Sequence, residues 1–408
     1  MIINEKIKTL IAKEEQRQKE EISLIASENY ASKAILKITG SILTNKYAEG
    51  LPLKRYYGGC ENIDQLELLA IKYGKELFHA EHLNVQPHSG SQANAAAFLA
   101  FLNPNDVILA MSLNSGGHLT HGHHLNFSGQ YYQFVTYDVD KKTQLLNYEN
   151  ILQLALKYKP KMIIAGASSY SRFIDFKKFR EIANKVNAFL LVDMAHIAGL
   201  VAAKLHPDPF LYADVITSTT HKTLRGPRGG IIFCRKKYAS LIDKAVFPGT
   251  QGGPLEHVIA AKAQAFYEAL QPEFKTYQNQ ILKNTKAMIK AFKKANFIIV
   301  SQTSDNHLFT INTFESLNIS GKKATEILAK INVIVNKNVI PFDHLKPYYT
   351  SGIRIGTPLI TTRGFKEKDA YYLSELMILA LRNANETNLA TIKLKVLKLA
   401  QEFNFYET

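Results

Sequence analysis

Through the middle of the chain, short apolar runs alternate with stretches whose apolar residues recur every three or four positions. Met162–Gly166, Phe189–Asp193, Asp214–Thr217 and Gly230–Cys234 read as strands, with Phe176–Val186 a helix between the first two. Runs that are apolar on both faces and separated by helical patterns argue for an α/β fold whose sheet is mostly parallel and covered on both sides. Leu83–Gln86 reads as a further strand leading into a helix over Ala93–Leu102. Glu14–Ser27 and Pro272–Ala295 have amphipathic helical patterns on either side of this body. The second opens a smaller C-terminal domain, in which Phe297–Val300, His307–Asn312 and Val333–Asn336 are predicted strands among helices. The expected organisation is an N-terminal helical arm over 1–30, a large domain over 31–271 and a small domain over 272–408, without internal repeats.

Composition narrows this further. A chain of 408 residues, 46% hydrophobic and 21% charged, is globular and long enough for roughly two to three domains. No run of ~18 apolar residues occurs, and the opening MIINEKIKTLIAKEEQRQ lacks the apolar stretch of a signal peptide. A soluble cytoplasmic protein is expected. Cys60 and Cys234 are the only cysteines, too few for a disulfide framework, and are expected to be reduced thiols. The net charge of +15 comes from 40 lysines against 10 arginines scattered along the sequence. Such a pattern fits solvated faces better than a nucleic-acid stripe, although a basic field also gathers anionic ligands.

The most informative segment is Asp214–Gly230. A buried strand runs out into hydroxyl residues, and Gly226, Pro227, Gly229 and Gly230 turn the chain back into Ile231–Cys234. Lys222 is thereby placed at a strand end, among polar groups and two arginines. Such surroundings lower an ammonium pKa and leave an amine able to attack a carbonyl, whereas most lysines are solvated charges. His88–Asn94 joins a strand to a helix start with one glycine and two serines. That is either an ordinary cap or an anion site in which Ser89, Gly90 and Ser91 meet a phosphate. Asp193 ends an apolar strand, where a carboxylate either caps the next turn or meets a cation. His118, His121, His123 and His124 cluster in a glycine-containing loop, but their spacing and the lack of cysteine or carboxylate partners argue against zinc and for a solvated loop.

The Lys222 segment resembles the pyridoxal phosphate lysine motif of the serine hydroxymethyltransferases, and the likeness extends over nearly the whole chain. It includes Leu24–Tyr30, Leu43–Gly50, Lys54–Cys60, Asn84–Asn94, Gly116–Gly122, Val192–Leu200, Pro248–Pro254 and Thr350–Pro358. The resemblance implies a fold-type-I pyridoxal phosphate enzyme. Its reaction interconverts serine and glycine, passes the hydroxymethyl carbon to tetrahydrofolate, and serves one-carbon metabolism and amino-acid biosynthesis. Lys222 would carry the cofactor, Asp193 would face the pyridine nitrogen, His118 would stack on the ring, and Ser168, His196, Thr219 and Arg228 would lie beside it. Ser89, Gly90 and Ser91 would bind the phosphate, with Tyr47, Gly252 and Gly253 reaching it from a neighbouring subunit, so that the enzyme is at least a homodimer.

Glu49 is implied as the general acid/base, with Tyr57 nearby and His221 shaping specificity. Arg354, set in a turn-rich stretch, would clamp the substrate carboxylate, and Ser27 and Tyr57 would also touch substrate. Folate contacts would come from Leu113, Gly117, His118 and Leu119, then Asn338, Lys346, Pro347 and Tyr348. No metal is implied. Departures from the family pattern are Leu53 where glycine is common, Leu359 where alanine is common, and the His123–His124 pair. Two alternatives remain at this stage: a folate-independent threonine aldolase of the same fold type, and a basic nucleic-acid-binding protein.

Overall fold

The computed structural model describes residues 3–403 and 406. The chain divides into two compact units, one of Asn29–Asn279 and one assembled from Met1–Glu28 with Gln280–Thr408.

In the first unit, seven strands form one sheet: β1 His82–Asn84, β2 Val107–Met111, β3 Gln133–Tyr137, β4 Met162–Gly166, β5 Phe189–Asp193, β6 Val215–Thr219 and β7 Gly230–Cys234. Their order is β1-β7-β6-β5-β4-β2-β3. Strand β7 runs antiparallel to both β1 and β6, and every other pair is parallel. Two reversals restore direction, so the C-terminal ends of the other six strands and the N-terminal end of β7 share one edge.

Apolar residues along β5 alternate between two cores. Leu190 and Val192 join Leu109, Ile163, Ile216 and Phe233 on one face, while Leu191 joins Ile108, Ile164, Val215 and Ile232 on the other. Each such buried side chain contributes ~1.5–3 kcal/mol, which is why these strands read as unbroken apolar runs. Strands β4, β5 and β7 span the residues expected from the sequence. Strand β6 starts one residue later than expected. The Asp214 carboxylate instead accepts hydrogen bonds from Leu190 N at 2.9 Å and Arg180 Nη1 at 2.6 Å. The helix after β1 spans Gly90–Phe101, three residues longer at its start than expected, because Ser89 Oγ caps it by accepting from Gln92 N at 3.2 Å.

The second unit has a four-stranded antiparallel sheet ordered Ile298–Ile299, Leu308–Asn312, Gly352–Gly356, Asn336–Asn338. The helix expected over Glu14–Ser27 is displaced: the helix spans Glu5–Glu20, started by Asn4, whose side chain accepts from Lys6 N and Ile7 N. Beyond Glu21 the chain is extended. Ile22 and Leu24, both fully buried, point to one side of it, Ile22–Ser23 pairs in parallel with Val333–Ile334, and the chain then turns at Ala26, which is also fully buried. A strand pairing across the sequence thus overrides a local helical pattern. The expected strand Val333–Asn336 is two short strands, Val333–Ile334 and Asn336–Asn338.

Candidate active site

The shared edge of the seven-stranded sheet gathers most of the polar residues singled out from the sequence. Asp193 is the last residue of β5, and Lys222, buried, follows the end of β6 by three residues. Burial by itself would push the Asp193 carboxyl up. Hydrogen bonds from His121 Nε2 and Asn94 Nδ2, both at 3.0 Å, and the fields of His121 and His118 overcome this and hold it well below the usual carboxylate range. Ala195 N adds a third donor at 3.1 Å. Asn94 is oriented in turn: its Oδ1 accepts from Thr217 Oγ1 at 2.6 Å and its Nδ2 also reaches Thr120 Oγ1 at 2.8 Å. His118 Nδ1 lies 2.8 Å from the same Thr120 hydroxyl. Burial lowers the His118 pKa to about 4 against the pull of Asp193, leaving its ring neutral.

His121 and Asn94 were not singled out as site residues from the sequence. His121 was expected in a solvated loop with its neighbours, yet it is buried against Asp193, while His124 is exposed. Its spacing of three from His118 was the available signal. It had no visible partner because that partner lies 72 residues away.

Several further residues line this edge. Ser89 caps the Gly90–Phe101 helix, whose first turn holds Ser91 exposed. Gly90 faces Thr219 so closely that a Cβ there would stand 2.6 Å from Thr219 Cγ2. Ser168 N donates to Gly116 O at 2.7 Å, and His196 O accepts from Thr223 Oγ1 at 2.9 Å. His221 has a buried Nδ1 without a hydrogen-bond partner among the described residues, and burial, then Lys222 and Arg228, lower its pKa to about 3. Arg228 is exposed. Leu113 and Leu119 are exposed in the loop that carries Gly117 and His118.

A second cluster forms on the hairpin of Gly50–Leu51 and Lys54–Arg55. Glu49 Oε1 accepts from Tyr47 Oη and Oε2 from Tyr57 Oη, each at 3.3 Å. The Glu49 charge raises the Tyr57 pKa. Arg55 Nη1 donates to the carbonyls on either side of Glu49, Ala48 O at 2.9 Å and Gly50 O at 2.7 Å. Its other nitrogens reach Asp64 at 2.8 Å and Glu67 at 2.6 Å. Gly252 and Gly253 lie against Glu49 and the Tyr47 ring. Gly253 O is also 3.2 Å from His88 Nε2, beside the helix cap. Leu53, in the hairpin turn, has φ of 62°, a left-handed backbone that favours glycine.

The remaining residues belong to the other compact unit. Arg354 was expected in a turn-rich loop. It is instead central in the strand Gly352–Gly356, where the flanking glycines serve close packing: a Cβ on Gly356 would stand 2.3 Å from Ala26 Cα. Its Nε donates to Asn336 Oδ1 at 3.1 Å, and burial lowers its pKa to about 10, which leaves it a cation. Ser27 is half-buried, Asn338 ends a strand, and Lys346, Pro347 and Tyr348 are exposed. Tyr348 Oη accepts from Lys322 Nζ at 2.7 Å.

These residues fit pyridoxal phosphate on three counts. A buried carboxylate stays ionised, a buried lysine follows the adjacent strand beside His221, whose buried nitrogen lacks a partner among the described residues, and the Gly90–Thr219 approach leaves bare backbone at the helix start. A serine hydroxymethyltransferase family model matches residues 2–377. The serine hydroxymethyltransferase of Mycoplasma capricolum subsp. capricolum is 56% identical over 406 residues, covering 100% of this chain and 98% of that protein. That of Mycoplasma mycoides subsp. mycoides SC is 57% identical over 401 residues, covering 98% and 97%. Matched over nearly its whole length, the chain belongs to the serine hydroxymethyltransferase family.

Proposed function

We propose that Lys222, Asp193 and the loop edge around them carry the family's chemistry in this chain. The reaction is the reversible interconversion of serine and glycine with transfer of the hydroxymethyl carbon to tetrahydrofolate, giving methylenetetrahydrofolate, and the cofactor is pyridoxal phosphate in a fold-type-I enzyme. The observation that carries the residue assignment is Asp193, a carboxylate kept ionised inside the protein at the end of the strand next to Lys222.

Bound there, pyridoxal phosphate supplies an electron sink for the carbanion formed at the amino-acid α-carbon. Lys222 is the amine that attaches and releases it. Asp193 holds a fixed negative charge for the pyridine nitrogen, with His121 and Asn94 keeping that carboxylate in place. Neutral His118 offers a ring face, and Ser168, His196, Thr219 and Arg228 are assigned to its surroundings. Ser89, Gly90 and Ser91 present a helix start to the phosphate. Glu49, bracketed by two tyrosine hydroxyls, moves a proton to or from the substrate hydroxymethyl oxygen. His221, with its unpaired nitrogen, contributes to specificity. Arg354 supplies the planar cation for the substrate carboxylate, with Ser27 and Tyr57 as further contacts. Leu113, Gly117, His118, Leu119, Asn338, Lys346, Pro347 and Tyr348 are assigned to the folate.

The segments 31–271 and 272–408 are the cofactor-binding and small domains in this reading, with 1–30 as the arm. Tyr47, 57% exposed beside Gly252 and Gly253, and Tyr57, 47% exposed, support a homodimer at least, with sites shared between subunits. A cytoplasmic location is consistent with the absence, among the described residues, of any helix long and apolar enough to cross a membrane.

The test is an absorbance titration of cofactor-free protein with pyridoxal phosphate, alongside serine turnover with and without tetrahydrofolate. Wild type is expected to gain the visible band of a lysine-bound cofactor and to need folate for serine cleavage. Lys222→Ala is expected to lack that band and to lose turnover by more than about a thousandfold. A variant with the wild-type band would overturn the assignment of Lys222.

A further inference from the structure

Lys262, on the helix Glu256–Ala269, is 1% exposed, and its ammonium lies among backbone oxygens. Nζ donates to Val85 O at 2.6 Å, Pro87 O at 3.1 Å and Gly230 O at 2.8 Å. Three donors meet three carbonyls, which is the full capacity of an ammonium, whereas a neutral amine has only two donors to offer them. Val85 and Pro87 lie in the loop between β1 and the Gly90–Phe101 helix, and Gly230 begins β7.

The same junction is tied by Gly230 N, which donates to Pro87 O at 3.0 Å. A Cβ on Gly230 would stand 2.2 Å from Ser89 O, so the strand start and the helix cap are in contact. On its other side the loop is held by Gln251, whose Nε2 donates to Gln86 O at 2.7 Å. Without Lys262, three carbonyl dipoles would converge beneath the loop assigned to the phosphate, with Gly230 N left to answer that of Pro87. The ammonium cancels them and adds positive potential behind the helix start. Burial lowers the Lys262 pKa to about 7, and Glu67, then Glu256, oppose that fall by favouring the charged form.

We propose that Lys262 is a positioning residue for phosphate recognition, fixing the loop that delivers Ser89, Gly90 and Ser91 to the phosphate of pyridoxal phosphate. This rests on the assignment of those three residues as the phosphate cradle.

The experiment compares binding of pyridoxal phosphate and of pyridoxal, which lacks the phosphate, to cofactor-free protein by absorbance titration. It uses wild type, Ser91→Ala, Lys262→Met and Gly229→Ala. The last keeps the lysine but pushes it aside, since a Cβ there would stand 2.5 Å from Lys262 Cε, and it serves if Lys262→Met does not fold. Ser91→Ala reports on the cradle itself. The expected result is that Ser91→Ala and the Lys262 perturbation each lower the preference for pyridoxal phosphate over pyridoxal by about tenfold, with pyridoxal affinity little changed. A purely structural lysine would lower thermal stability or weaken both ligands alike, and that outcome, with Ser91→Ala still selective, overturns the proposal and leaves the cradle standing. If Ser91→Ala leaves the preference unchanged, the cradle assignment fails and the role of Lys262 fails with it.

Discussion

Glu256 presents an unusual electrostatic situation that can be tested directly. It is 1% exposed, neither carboxyl oxygen has a hydrogen-bond partner among the described residues, and its nearest cation is Arg55 Nη2 at 3.9 Å. Burial, then the charge of Glu67, raise its pKa to about 8 from an ordinary 4.5, with Asp64 adding to the rise and Arg55 and Lys262 opposing it. The folded protein therefore keeps a proton that the unfolded chain releases. The stability this confers is fully present below the unfolded pKa and is lost as pH rises through the folded one. The slope is about 1.4 kcal/mol per pH unit, so the loss reaches roughly 3 kcal/mol by about pH 7, and on the order of 2 kcal/mol if the site relaxes.

Glu256→Gln removes the titrating proton at constant size. Its stability relative to wild type is expected to climb between about pH 5 and pH 8 and to level off above about pH 9. Any fixed penalty from the new amide shifts the whole curve without changing its slope. Urea unfolding of both proteins across this range, read as midpoints at unchanged m, supplies the comparison. Parallel curves for the two proteins would refute the reasoning.

Asp193→Asn is expected to reduce turnover by at least about a thousandfold with cofactor still bound, because the new amide supplies no charge and turns a donor toward His121 and Asn94; steady-state kinetics at saturating cofactor measure it, and near-normal rates would remove Asp193 from its role. Glu49→Gln is expected to depress folate-dependent transfer steeply and the folate-independent cleavage of a 3-phenylserine less, measured in one preparation. Equal losses would make Glu49 a general support of the site. Leu53→Gly is expected to stabilise by about 1 kcal/mol, since φ of 62° suits glycine and the leucine is 75% exposed, and an unchanged or lower unfolding midpoint would count against that account.

The central sheet was legible because its strands are buried on both faces, so that Phe189–Asp193 and Gly230–Cys234 carry their own boundaries in uninterrupted apolar runs. The N-terminal segment was not, because Ile22 and Leu24 owe their extended form to Val333–Ile334, a partner invisible to any local pattern. Arg354 misled for a related reason: glycines on either side suggest a turn, whereas here they mark close packing of a strand against backbone. In the site, Lys222 and Asp193 stood out by chemical contrast with apolar neighbours. His121, Asn94 and Lys262 did not, since what distinguishes them is the groups they touch: a carboxylate for the first two, and for Lys262 three carbonyls, the nearest 32 residues away in sequence.

The pairing of Ile22–Ser23 with Val333–Ile334 joins residues more than 300 positions apart. On a translating ribosome, the segment ending at Glu28 emerges before residues 29–279 but belongs to a unit completed only by residues 280–408. At ~5–20 residues per second, the intervening stretch takes roughly a quarter of a minute to a minute to synthesise. During that interval Asn29–Asn279 can condense around its own sheet, while the buried leader strand waits without its mate. Nascent chains stalled before residue 333 should thus expose Ile22, Leu24 and Ala26 to chaperones and proteases, and release past that point should withdraw them.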